Sequence, residues 1–194
     1  MRIFKTPLSD GQVNEIAECL IGGGIILLPT DTVYGVAAHP GRHEAINKII
    51  SMKGRDAAKP IQLLAGNSEI VFASNLIISK QERNIIQKFW PGALTLILDT
   101  PDGGTEGVRV PDNETAARIC IASGGMLRCT SANISSEPAA LNAEAAYLAI
   151  PNADILVDGG TVDTGQGSTV AKITEKKIII FRHGPISEDD LYAV

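Results

Sequence analysis

Several residue types are scarce in this sequence, and each shortage removes a class of protein. The three cysteines, Cys19, Cys120 and Cys129, lie far apart and form no C-x-x-C pair. A sparse, odd count argues against a disulfide framework and for a reducing compartment, each thiol serving as a small buried hydrophobe. Cysteine and histidine do not cluster at zinc spacing. His39 and His43 are close in sequence, but Pro40 and Gly41 break the helix face that a metal pair would need. Basic residues are in deficit, and the net charge of −5 argues against a dedicated nucleic-acid binder. Aromatics make up 4% of the chain, which leaves few platforms for stacking single-stranded bases. No apolar run approaches a membrane span, and MRIFKTPLSD lacks the apolar core of a signal peptide. A cytoplasmic protein with no membrane partner is therefore expected. The chain has no G-x-x-x-x-G-K-[ST] loop and no G-x-S-x-G elbow, so a P-loop or a serine-hydrolase mechanism has no carrier.

What is present is an interleaving of short apolar strands and amphipathic helices. The 194 residues suffice for one sizeable unit, and no repeat, charge block or linker divides them. The central stretch is IILLPTDTVYGVAA, residues 25–38. Its apolar start reads as a buried strand, and Pro29 interrupts regular pairing. Thr30, Asp31 and Thr32 follow, before a second β-type run over 33–37 that contains Gly35. Ser9 with Gln12 and Ser79 with Glu82 read as capping boxes opening helices. Apolar spacing predicts a helix over 43–52, and Asn67, Asn142 and either Asp112 or Asn113 are placed to start others. Strands are expected at 61–64, 94–98, 107–110, 126–130, 155–157, 168–173 and 178–182. Residues 102–107 and the glycine-rich 158–167 read as loops. The pattern predicts a single α/β domain over 1–194, with a twisted mixed β-sheet flanked by helices.

Polar residues at the ends of these elements are the candidates for chemistry. Lys53 and Arg55 flank Gly54 just past a helix end. They either interact with that helix C-terminus or clamp a phosphate. Arg109 sits in an apolar segment and Arg182 ends an apolar strand, each serving a structural carboxylate or an anionic ligand. Ser131 and Asn133 end another strand, where turn hydrogen bonds and ligand contacts are both common. Ser168 opens a strand after the glycine-rich loop, and its ordinary reading is turn chemistry.

Seven segments together resemble the YrdC-like proteins, a family that includes TsaC and the threonylcarbamoyl-AMP synthases. They are PTDTVYG (29–35), KGR (53–55), WPGALTLIL (90–98), VRVPDN (108–113), TSANIS (130–135), GSTV (167–170) and FRHG (181–184), in the family order. The resemblance covers nearly the whole chain. It departs from the usual motifs at Asp56, Ala93, Asn113 and Ser136, and no histidine follows Pro60 closely. The family's extra C-terminal domain is not expected. The resemblance implies an α/β fold with a concave basic cleft. It implies a nucleotidyltransferase that joins L-threonine, bicarbonate and ATP into threonylcarbamoyl-adenylate and releases pyrophosphate. Mg2+ is expected with the ATP, held by phosphates and water, with no protein metal site. Further partners implied are tRNA and the proteins that carry the adenylate onward to tRNA. Lys53 and Arg55 would be catalytic. Lys53, Thr105, Ser131, Asn133 and Arg182 would bind ATP. Thr30, Thr32, Arg109 and Ser168 would bind threonine. Charge neutralisation and positioning carry such a displacement without a protein nucleophile. The competing reading is a non-catalytic RNA-binding module that uses the same concavity. The charge and the aromatic content weigh against it.

Overall fold

The computed structural model describes residues 1–56 and 59–194. Among these residues the strands are β1 (Arg2–Lys5), β2 (Ile25–Leu28), β3 (Gly35–Ala38), β4 (Leu63–Ala65), β5 (Leu94–Asp99), β6 (Thr105–Arg109), β7 (Met126–Ser131), β8 (Ile155–Asp158), β9 (Thr169–Ile173) and β10 (Ile178–Arg182). The helices are α1 (Asp10–Ile21), α2 (His43–Met52), α3 (Ser68–Phe72), α4 (Lys80–Phe89), α5 (Glu114–Ala122), α6 (Ala143–Ala149) and α7 (Glu188–Tyr192). All the strands join one sheet in the order β1-β8-β2-β3-β7-β4-β6-β5-β9-β10. The sheet is mixed: β1/β8, β2/β8, β4/β6 and β5/β9 are parallel, and the other neighbours are antiparallel.

Local signals set most helix starts. Ser9 and Ser79 form the expected capping boxes with Gln12 and Glu82. Asn67, Asn113 and Asn142 each accept a backbone N–H from the first turn of a helix. Three differences from the sequence reading have physical causes. Thr105 belongs to strand β6 and not to a loop, because pairing with Asp99 of β5 extends the strand through a polar, glycine-containing segment. The strand expected at 61–64 begins at Leu63; the carbonyl of Ile61 accepts from Arg128 Nη1 at 2.8 Å. β1 carries too few apolar residues to be legible locally, whereas α7 opens on a Ser187–Asp190 capping box that the strand and helix reading above passes over. β1 pairs with β8, and Leu191 of α7 is buried against the far edge of the sheet.

Register decides where a ligand can sit. Alternate residues along a strand share a face. On one face Ile26, Leu28, Leu64 and Leu127 pack under α1 and α5. On the other face Ile25, Leu27 and Val36 pack under α2 and α6, while Leu96, Leu98 and Val108 pack with α4 and α7. Gln62 and Cys129 alternate with Leu64 and Leu127, so they share the α1/α5 face. Beyond those two helices this face bounds an open cavity over β5, β6 and β9. Gly35 makes room beside it. A Cβ there would lie 2.6 Å from Cys129 Sγ, closer than side chains pack.

Candidate active site

The cavity has a volume of about 510 Å3, within the range of small-molecule sites. Its walls come from segments far apart in sequence: Thr32, Arg55, Arg109, Ser131, Asn133, Ser168 and Arg182 all line it. Seven of the ten residues singled out from the sequence therefore meet in one hollow.

The β2–β3 turn forms one wall. Pro29 ends the ladder, and the Thr30 hydroxyl then organises the turn. It donates to Val33 O at 2.7 Å and accepts from the N–H groups of Thr32 and Val33. Thr30 is buried behind Thr32 and does not line the cavity. Its proton is spent on Val33, so the 3.1 Å contact between the two threonines has Thr32 as donor. Thr32 in turn accepts from Arg109 Nη1 at 2.7 Å.

Arg109 is only 3% exposed, and three groups hold it. Its Nε donates to Gly92 O at 2.9 Å, Nη1 to Thr32, and Nη2 to the Asp31 carboxylate. Of the five guanidinium N–H groups, three are spent, and two remain for a ligand. The glycine-rich loop is pinned against the same turn. Tyr34 Oη donates to Gly160 O and accepts from Gly159 N, and Thr164 Oγ1 meets the carbonyls of Asp31 and Thr32.

Lys53 ends α2, and Gly54 follows with φ +56, a left-handed conformation that lets the chain reverse at little cost. The reversal carries Arg55 to the cavity wall, where its Nε and Nη2 donate to the carbonyls of Lys59 and Pro60. Lys53 turns inward instead and is 1% exposed. Its Nζ donates to the carbonyls of Ser131 and Asn133 and to Asn133 Oδ1, the last at 3.2 Å. Lys53 O accepts from Ser135 N. This lysine stitches the turn after β7 into shape from behind, and it does not itself line the cavity. Burial, and then the nearby Arg55 guanidinium, pushes its ammonium down to about 8.

Asn133 is equally committed. Its amide donates to the carbonyls of Ile134 and Glu137, and its oxygen accepts from Lys53 and from Ser131 Oγ. Ser136, in the same turn, holds φ +73, a conformation that L side chains adopt at a cost of about 1–2 kcal/mol. Ser136→Gly is therefore expected to stabilise the protein by about 1 kcal/mol in a urea titration. An unchanged or lowered midpoint would show that this φ carries no strain.

Opposite lies a hydrogen-bonded series. Arg182 donates from Nε to Ser168 O and from Nη2 to Ser168 Oγ at 3.0 Å. Ser168 Oγ meets Thr95 Oγ1 at 2.8 Å, and Thr95 Oγ1 donates to Gln62 Oε1 at 3.0 Å. Burial of its guanidinium, followed by Arg109 and Arg55, lowers the Arg182 pKa, so the three arginines feel one another across the cavity. Thr95 and Gln62 went unnoticed in the sequence. The available signal was a lone polar residue inside each apolar run, since a buried polar group needs a partner.

Thr105 stands apart from this group. It shares a strand face with Gly107 and Arg109 but lies at the far end of β6, where it lines a separate hollow with Leu63, Asp102 and Met126. Cys129 does face the main cavity, but burial pushes its thiol up to about 12, so it stays protonated and is no nucleophile. Among the described residues no cluster of three or more metal-ligating side chains occurs, and the one carboxylate on the cavity wall is Glu137. The side chains present do not make a metal cage.

The Sua5/YciO/YrdC family model, described as telomere recombination, matches residues 18–184. The chain belongs to this family. A Bacillus subtilis (strain 168) protein named threonylcarbamoyl-AMP synthase is 31% identical over 199 residues, covering 96% of this chain and 57% of its own. A Mycobacterium leprae (strain TN) protein, provisionally named for the same activity, is 31% identical and is covered over 90% of its length. The crystal structure of Pyrococcus abyssi Sua5 complexed with L-threonine superposes with a TM-score of 0.90 at 25% identity, covering 99% of this chain and 59% of that one. Escherichia coli YciO shares the fold over its whole length, with a TM-score of 0.87 at 19% identity. This chain thus spans somewhat over half of the Bacillus and Pyrococcus proteins. No helix among the described residues is long and apolar enough to cross a membrane.

Proposed function

We propose that this chain is a threonylcarbamoyl-AMP synthase, joining L-threonine, bicarbonate and ATP into threonylcarbamoyl-adenylate with release of pyrophosphate and of the water lost when the amine and bicarbonate form the carbamate. The observation that carries this reading is the meeting of Arg55, Arg109 and Arg182 in one cavity, each brought from a different family motif. Threonine carbamate and ATP are both anionic, so bringing them together costs repulsion that fixed cations offset.

In this reading Arg109 takes the threonine carboxylate on its two open N–H groups, with Thr32 and Ser168 alongside. Arg55 and Arg182 face the ATP phosphates. Ser131 presents its oxygen to the nucleotide, and Lys53 and Asn133 position the turn that holds Ser131. Thr30 acts through Thr32, as a positioning residue. The carbamate oxygen then attacks the α-phosphorus in line with the departing pyrophosphate. Mg2+ enters as part of the ATP substrate, on phosphates and water. Residues 1–194 act as one domain of the family in the cytoplasm. The adenylate passes to tRNA-modifying proteins.

The test is ATP–pyrophosphate exchange in Mg2+ buffer. Exchange is expected only when threonine and bicarbonate are both present. Folded protein that gives no exchange above background would remove this reading.

A further inference from the structure

Gln62 has no role in the chemistry above, yet its side chain lines the cavity and is held in one orientation. Its backbone is fixed on two sides. Gln62 O accepts from Cys129 N at 2.9 Å, and the preceding carbonyl, Ile61 O, accepts from Arg128, which is itself paired in two-pronged fashion with Glu106. Its side-chain oxygen is fixed as well. Thr95 Oγ1 gives its proton to Gln62 Oε1, so the contact between Ser168 and Thr95 must run from Ser168 to Thr95. Ser168 can then accept from Arg182, as it does. The series runs one way, from the guanidinium to the glutamine oxygen. That leaves Nε2 of Gln62 with two N–H donors and no partner among the described residues.

The surroundings of that amide are not those of an anion site. Ile97 and Val170 also line the cavity, and Gly107 leaves a bare patch between Gln62 and Ile97. A Cβ at Gly107 would sit 3.4 Å from both Gln62 Cβ and Ile97 Cδ1, so the missing side chain leaves room between the Gln62 stem and Ile97. A neutral donor in an apolar recess suits a neutral acceptor attached to a small aliphatic group, because a charge placed there would be poorly solvated. Phosphate and carboxylate already have three arginines to meet them.

We propose that Gln62 selects the amino acid by its β-hydroxyl. Nε2 donates to the hydroxyl oxygen, while the adjoining methyl group rests on Ile97, Val170 and the bare Gly107. This assignment rests on the synthase reading and adds to it the residue that recognises the substrate side chain. Gln62 is a specificity residue and takes no part in bond making.

The experiment is calorimetric titration of L-threonine and of L-2-aminobutyrate, which keeps the methyl and lacks the hydroxyl. Wild-type protein, Gln62→Met and Thr95→Val are compared. Wild type is expected to prefer threonine by about tenfold, the worth of one neutral hydrogen bond. Gln62→Met should bring the ratio close to one by weakening threonine and sparing aminobutyrate. Thr95→Val, which keeps the amide but frees it to rotate, should fall between them. A merely structural glutamine would weaken both ligands equally in Gln62→Met and leave the ratio intact, which would overturn the proposal. A wild-type ratio near one would overturn it without any variant. Threonine-dependent exchange in wild type together with an unchanged ratio in Gln62→Met removes this inference alone. Absence of both exchange and amino-acid binding removes the synthase reading and this inference with it.

Discussion

Lys53→Met is expected to lower threonine-dependent exchange by about 10²–10³-fold while leaving the protein folded. The lysine ammonium is the common donor for Ser131 O, Asn133 O and Asn133 Oδ1. Without it, three acceptors in one turn lose their shared partner, and Ser131 loses its fixed place on the cavity wall. Stability should change much less, because two terms oppose. The wild-type ammonium is charged in a buried site, at a cost of about 3 kcal/mol for a shift from 10.5 to about 8. Methionine removes that cost and leaves acceptors unpaired, at about 1–3 kcal/mol each for those that water cannot reach.

The pH dependence separates the two roles. The folded pKa of Lys53 lies below its ordinary value, so between pH 8 and pH 10.5 the unfolded chain binds more protons than the folded one. Stability contributed by this group therefore rises with pH across that window. Activity should do the opposite, falling above about pH 8 as the ammonium loses a proton and one of its three bonds. Urea midpoints of wild type and Lys53→Met, measured from pH 7 to pH 10, should shift relative to each other in favour of wild type as pH rises. Parallel curves would show that Lys53 does not titrate in this range, and exchange that stays flat to pH 10 would detach it from the chemistry.

The other large effect is at Arg109. Arg109→Leu should cost about 3–5 kcal/mol of stability and abolish the threonine dependence of exchange. The side chains of Arg109 and Asp31 are 4% and 15% exposed, so removal of either leaves a charge largely out of water. Arg109 also holds Thr32 Oγ1 and Gly92 O, and its loss loosens the turn and the segment after α4 together. Asp31→Asn should destabilise less, since the guanidinium keeps those two partners. In the Asp31→Asn/Arg109→Leu double variant the losses should fall short of additive by about 1–3 kcal/mol, because the first change already removes the pair. Additive losses would mean that the ion pair is energetically idle. Wild-type threonine affinity in folded Arg109→Leu would take the carboxylate away from Arg109.

The local grammar of this chain was plain to read. Pro29 after four apolar residues ends β2, and the serine and asparagine caps open helices where their side chains reach a free backbone N–H. These signals act within a few residues and need no partner elsewhere. The candidate residues were legible as types, with cations and hydroxyls standing at element ends. Their individual duties were not. Lys53 read as a phosphate ligand and lies buried behind the turn it supports, while Thr30 stands behind Thr32 and Thr105 faces another hollow.

By itself, the sequence determined the strand and helix inventory of the interior, the family motifs and their order, and the absence of a nucleophile elbow or P-loop. Tertiary structure decided β1, the extension of β6 to Thr105, and which groups share the cavity. The reason is that short-range propensity is additive along the chain, whereas pairing register and burial are not. Thr95 and Gln62 stand 33 residues apart and became partners only when β4, β6 and β5 were laid side by side.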